Sequence, residues 1–186
     1  MNHADTYSEQ NLVWMDLEMT GLRPESDRIL EIACLITDND LHVIAEAPVL
    51  TIHQPEDVLA AMGEWCQKHH SESGLLARVR SSRTTAEEAE EILLDFLEQY
   101  VPAGASPLCG NTIGQDRRFL YHYLPRLEQF FHYRNLDVSS LKIIAQRWKP
   151  QIMDGFHKQE KHLALDDIRE SIAELAYYRK NLLALP

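Results

Sequence analysis

The spacing of hydrophobic positions changes along this chain. Leu12-Val-Trp-Met-Asp-Leu is a short apolar run after a polar start, and it predicts a first strand. Residues 28–37 predict a second strand, and residues 41–52, rich in Val, Ile and Leu, a third. Asp38-Asn39-Asp40 is a turn signal between the last two, so the three should form a meander. The period then becomes helical. Residues 64–79, with Trp65, Leu75, Leu76 and Val79, predict a helix. Thr84 or Thr85 should cap the next, whose Ala89, Ile92, Leu93, Phe96 and Leu97 fall on one face. Leu108-Cys-Gly reads as a short buried strand, residues 114–123 as a helix closed off by Pro125, and Leu136-Asp-Val as the last strand. Ser139 or Ser140 should cap the helix that runs to Trp148. Residues 150–161 form a loop, and a long helix over 165–183 turns Ile168, Ile172 and Leu175 inward.

Early strands followed by helices alternating with two short strands indicate an α/β fold, a mixed five-stranded sheet flanked by helices. The 186 residues suit one domain, with a core over about 11–183 and a polar tail over 1–10. Composition narrows this little further: 45% hydrophobic and 25% charged residues suit a soluble globular protein. No apolar stretch approaches the roughly 20 residues that cross a bilayer. The start lacks the basic and apolar regions of a signal peptide. Cys34, Cys66 and Cys109 are far apart with no CxxC pair. They read as free thiols, which places the chain in the cytoplasm. A net charge of −11 argues against a long nucleic-acid tract, which needs a basic face. A small phosphate-bearing substrate stays open, because bound divalent cations reverse the local charge. Glu87, Glu88, Glu90, Glu91, Asp95 and Glu98 read as the solvated face of a helix.

The chemistry lies in three distant segments. Asp16 and Glu18 are two apart on a strand, so their side chains share a face, and the intervening Leu17 is apolar. An exposed edge strand would explain them otherwise. Asp116 falls in the first turn of a helix, and Asp167 near the start of the last one, where the dipole alone favours acids. His162 alone would read as a surface histidine. Jointly, acids at a strand and at two helix starts suggest a site for two divalent ions, Mg²⁺ or Mn²⁺, ~3.5–4 Å apart. The fitting reaction is two-metal phosphodiester hydrolysis. Asp16 would bridge both ions, Glu18 and Asp167 would hold the ion carrying the attacking water, and Asp116 its partner. His162 would take the proton.

Asp-Leu-Glu-Met-Thr-Gly-Leu (16–22), Gly-Asn-Thr-Ile-Gly-Gln-Asp-Arg-Arg-Phe-Leu (110–120) and the His162/Asp167 pair resemble the three motifs of the DEDDh 3′→5′ exonucleases. Within that superfamily the chain is similar to the oligoribonuclease family over about residues 11–180. His132-Tyr-Arg-Asn-Leu-Asp-Val-Ser-Ser-Leu-Lys and Arg147-Trp-Lys-Pro agree with it. The resemblance implies an RNase H-like fold, a homodimer and trimming of short RNA oligonucleotides, chiefly dinucleotides, to 5′-mononucleotides. Linear products of cyclic dinucleotides would be included. It implies that Leu22 wedges between two bases and that Trp65 and His70 close round the substrate. Tyr133 would reach into the partner's site, and Thr112, Arg134 and Ser139 would meet the 5′ phosphate. The family often has Ser where Thr112 stands. A DEDDh exonuclease acting on longer RNA tails or DNA ends is the alternative within catalysis. Outside catalysis stand a dinucleotide-sensing binding module and a structural or assembly protein on the same fold, although a degenerate binder should have lost a member of the acid set.

Overall fold

The computed structural model describes residues 6–157 and 164–183. Strands β1 (Leu12–Met19), β2 (Ile29–Thr37), β3 (Val43–Glu46), β4 (Leu50–Thr51), β5 (Leu108–Gly110) and β6 (Asn135–Asp137) build one mixed sheet. Its order is β3-β2-β1-β5-β6, with β4 also pairing with β2. β1 runs antiparallel to β2 and parallel to β5, and β5 parallel to β6. The meander is as the sequence suggests, but the third strand divides in two around Ala47-Pro48-Val49. Proline cannot donate to a ladder, so the sheet gains a sixth strand where five were expected.

Helices cover both faces. α1 (Glu56–Ala60), α2 (Glu64–Glu72), α3 (Leu75–Ser81) and α4 (Ala86–Leu97) follow the meander. α5 (Gly114–Tyr123) and α6 (Pro125–Phe130) lie between β5 and β6, and α7 (Val138–Trp148) and α8 (Ala164–Asn181) come last. The single helix expected over 64–79 breaks at Gly74, whose φ of +74° suits a residue without a Cβ. Pro125 starts α6 instead of only ending α5, because proline is tolerated in a first helical turn. Thr85 caps α4 as expected, in a capping box with Glu88. α7 is capped by Asp137, which accepts from the Ser139 N–H, and not by Ser139 or Ser140. Glu90 leaves the acidic face of α4: it is buried and its Oε1 accepts from the Leu127 N–H at 3.0 Å. No helix among the described residues is long and apolar enough to cross a membrane.

Alternation along β1 divides the core and positions the acids. Val13, Met15 and Leu17 point to the layer formed by α4, α5 and α6. Trp14 points to the other layer, formed by α7 and α8 through Val138, Ala145, Ile168, Ile172 and Tyr178. Its indole N–H donates to the Thr37 hydroxyl at 3.0 Å, so this large buried ring leaves no polar atom unpaired. Asp16 and Glu18 continue the Trp14 side of the strand and therefore face α8. The same packing that buries Trp14 brings the start of α8 to both carboxylates.

Candidate active site

Asp16, Glu18 and Asp167 converge. Each offers a carboxylate oxygen, and these atoms lie within 4.8 Å of one another. Three acids so close repel one another, and a divalent cation would relieve the repulsion. Asp116 approaches from the opposite layer. β5 pairs with β1 only at Val13 and Trp14, so farther along β1 the Leu17 N–H has no strand partner on that side. Asp116 Oδ1 accepts it at 3.0 Å. Burial pushes the Asp116 carboxyl up to about 7, with Asp137 adding to the rise and the Leu17 N–H opposing it. Burial likewise pushes Glu18 up to about 7. Asp167, Glu31 and Asp116 add repulsion, and Arg78 partly offsets it. Both shifts mean that this pocket stabilises negative charge poorly without a cation. His162 lies outside the described residues.

Glu31 is a neighbour that the sequence did not single out. It stands opposite Glu18 in the β1–β2 register and is buried. Arg78 holds it through Nε at 3.2 Å and Nη2 at 2.9 Å, and Thr51 donates to it at 3.0 Å. The same guanidinium donates to the Ser73 carbonyl at the end of α2. Arg78 thereby ties the α2–α3 pair to the strand beside the acids. The signal in sequence was weak, because an isolated Glu on a strand and an Arg on a helix carry no pairing information.

α2 brings the next group. Leu22, Trp65 and His70 line, together with Glu18, Met19 and Cys66, a cavity of about 440 Å³. Leu22 is 69% exposed and Trp65 64%. His70 is buried, its Nε2–H donating to the Met19 carbonyl at 2.9 Å, with Nδ1 3.9 Å from Glu18. Burial lowers its pKa and so disfavours the charged imidazole, with the Met19 carbonyl opposing the shift. The loop carrying Leu22 is folded tightly: a Cβ on Gly21 would collide with the Asp27 carboxylate, which accepts from the Arg23 N–H. Gln115 Nε2 donates to the Leu22 carbonyl at 2.6 Å, a link between this loop and the turn bearing Asp116 that sequence reasoning missed.

The Thr112 and Ser139 hydroxyls lie 3.1 Å apart, within hydrogen-bonding distance. Thr112 holds a left-handed φ of +53°, fixed by its N–H donating to Asp137 Oδ1 and Ser139 Oγ, both at 2.9 Å. Tyr133 and Arg134 form a separate, outward-facing group. Tyr133 is 73% exposed, and the Arg134 guanidinium lies over its ring at 5.2 Å from the centroid. Cys34, Cys66 and Cys109 are free, the first and last buried and Cys66 partly exposed.

Residues 13–175 match the RNase_T family, described as exonuclease. An oligoribonuclease from Vibrio parahaemolyticus is 58% identical over 177 residues, covering 95% of this chain and 98% of that one. One from Shewanella loihica is 62% identical over 174 residues, covering 94% and 96%. Among solved structures, Escherichia coli Exonuclease I in complex with a dT13 oligonucleotide superimposes with a TM-score of 0.73 at 16% identity. That match covers 94% of this chain. The chain spans 42% of that protein's length, and the likeness is one of fold, an RNase H-like exonuclease sheet. These matches and the acid-bearing sheet agree: this chain belongs to the RNase_T exonuclease family, with the oligoribonucleases as its relatives, and is a nuclease.

Proposed function

We propose that this chain is a 3′→5′ exoribonuclease that uses divalent ions to hydrolyse very short RNAs, dinucleotides above all, to 5′-mononucleotides. One juxtaposition carries the reading. The Asp16–Glu18–Asp167 cluster shares Glu18 with a cavity walled by exposed Leu22 and Trp65. Relatives at 58–62% identity named oligoribonuclease support it.

The donor set fits hard cations: oxygen-only, anionic and brought together by β1 and the start of α8. Asp16, Glu18, Asp116 and Asp167 would hold Mg²⁺ or Mn²⁺, which supplies Lewis-acid stabilisation of phosphodiester oxygens and lowers the pKa of a bound water. Asp16 and Glu18, fixed on one strand, set the direction from which the scissile phosphate is met. His162 accepts the proton of the attacking water as the P–O3′ bond breaks, and the leaving 3′ oxygen takes up a proton. Leu22 enters between the two bases, while Trp65 offers an aromatic face and His70 closes the floor. Thr112, Ser139 and Arg134 meet the 5′-terminal phosphate. Tyr133, exposed and stacked on Arg134, completes the site of a second copy in a homodimer. Two bases and a terminal phosphate require only a small pocket, which suits a chain of net charge −11 with no basic tract. Buried Cys34 and Cys109 suit a reducing compartment such as the cytoplasm, where the products of cyclic dinucleotide signals would also be consumed.

A time course with 5′-labelled RNAs of about two to twenty nucleotides, in Mg²⁺ or Mn²⁺ and with a chelator, tests the reading. Rapid loss of the two-mer, slow loss of longer RNAs and silence with chelator are expected. Equal or faster loss of the longest RNA would move the chain to the general exonuclease reading.

A further inference from the structure

Tyr133 stands in solvent, yet its neighbours hold its direction. The His132 ring lies beside it with centroids 4.5 Å apart, and the Arg134 guanidinium is 5.2 Å from the ring centroid. His132 Nδ1 accepts the Arg134 N–H at 3.2 Å and closes the turn that carries the ring. An aromatic side chain ordered before it meets a partner has less entropy left to lose on binding.

Arg117 on α5 supplies much of this order. Its Nε donates to Glu128 Oε1 at 2.9 Å, which fixes the guanidinium plane against α6. Nη1 then donates to the His132 carbonyl at 2.9 Å and to Asn135 Oδ1 at 2.8 Å. One planar cation thus grips the chain on both sides of Tyr133 and Arg134. The Arg117 and Glu128 side chains are only 15% and 17% exposed, so water screens this grip little. Arg117 also follows Asp116 directly. Successive helix positions point in different directions, so Asp116 reaches the Leu17 N–H on β1 while Arg117 reaches α6 and the turn.

We propose that Arg117 is a positioning residue acting across the subunit boundary: it sets the Tyr133 ring for the site of a second copy, not for its own. The inference rests on the cross-subunit reading of Tyr133 in the proposed function and names the residue that prepares the ring. Arg117 touches no substrate atom. Arg134, packed on the ring and held in the same turn, is carried into the same site.

Mixed dimers with a different tag on each chain test the direction, read as kcat/KM for a dinucleotide in Mn²⁺. In the split arrangement one chain carries Arg117→Ala and the other Asp116→Ala. In the joined arrangement both changes lie on one chain, and the other chain is parental. The split dimer should keep about half of the parent's activity, because its one metal-competent site receives an intact Tyr133. The joined dimer should keep about a twentieth, because its metal-competent site receives the misplaced ring. That tenfold gap lies within the about 5- to 150-fold that one base stack is worth. The Arg117→Ala homodimer should lose about tenfold, with the Mn²⁺ half-saturation point unchanged. Arg117→Lys keeps the charge but not the fork, so it should show the same order with a smaller gap. It decides the matter if Arg117→Ala does not fold. Equal or reversed activities in the two arrangements would overturn the assignment. The same arrangements with Tyr133→Ala in place of Arg117→Ala test the underlying reading, and there too the split dimer should be the more active. Equal or reversed activities in that pair, or a protein that stays monomeric, would overturn the cross-subunit reading and this inference together.

Discussion

At one end of the cleft, carboxylates are buried. Asp116 is 7% exposed, and Asp16, Glu18 and Asp167 crowd within 4.8 Å. At the other end, large apolar side chains stand in solvent, with Leu22 69% and Trp65 64% exposed. The usual placement of charge and hydrocarbon is inverted in both regions. Each region is costly alone, for opposite reasons: the first gathers more negative charge than Arg78 offsets, and the second exposes apolar surface to water. Cations complete the first and stacked bases the second. Asp16 and Glu18 are fixed by alternation along β1, and Asp116 and Asp167 by the first turns of α5 and α8, whereas the apolar group sits on a loop and a short helix. Loss of an acid should therefore abolish chemistry, and loss of an apolar residue should weaken binding in a graded way.

The largest effect tests the first half. Asp16→Ala removes the carboxylate at the centre of the cluster, and turnover should fall by more than about 100-fold, since even outer partners of metal ligands cost 10–100-fold. Circular dichroism should stay unchanged, because Asp16 is only half-buried. Activity within tenfold of the parent would sink the metal assignment. Leu22→Ala and Trp65→Ala should each raise KM for a dinucleotide by about 5- to 150-fold, the range of about 1–3 kcal/mol for one base stack. Their kcat should change far less. A drop in kcat matching that of Asp16→Ala would erase the distinction between the two regions.

Acid burial also predicts how ion-free stability changes with pH. Glu18 and Asp116 both titrate near 7 in the folded chain, well above their ordinary values of 4.5 and 3.8. Between about pH 4 and 7 the folded state therefore binds more protons than the unfolded one. Stability then decreases as pH rises through that window, the reverse of a salt-bridged acid. The melting temperature of chelated protein should fall from pH 5 to pH 8, with about 2–4 °C marking each ~1 kcal/mol. Added Mn²⁺ should restore more at pH 8 than at pH 5. A chelated protein that becomes more stable over that range would contradict the protonated-pocket account.

What was legible in the sequence divides along the same line. Asp16 and Glu18 could be placed on one face because strand alternation is a local rule, but that α7 and α8 cover this face appears only with the packing of Trp14. Asp116 could be placed at a helix start but not against Leu17, because that contact depends on β5 ending at Gly110. The break at Gly74 and the sixth strand follow from Gly and Pro chemistry, but a sequence offers several such residues and does not mark which one the tertiary packing uses. Glu31 and Arg78, 47 residues apart, carry no mutual signal until α3 is laid on β2.

The smallest effect comes from the residue joining the two regions. Gln115 precedes Asp116 on α5, and its side chain holds the Leu22 carbonyl at 2.6 Å. One helical turn thus fixes a buried acid and an exposed wedge at once. Gln115→Ala removes a single hydrogen bond, about 0.5–1.5 kcal/mol, so KM should rise about two- to tenfold. If the loop only places the wedge, kcat and the Mn²⁺ requirement will stay as in the parent, and Leu22→Ala combined with Gln115→Ala will be no worse than Leu22→Ala alone. Additive losses would mean that Gln115 also steadies the Asp116 turn. The boundary between the region that does chemistry and the region that grips the bases would then run through this helix and not along its edge.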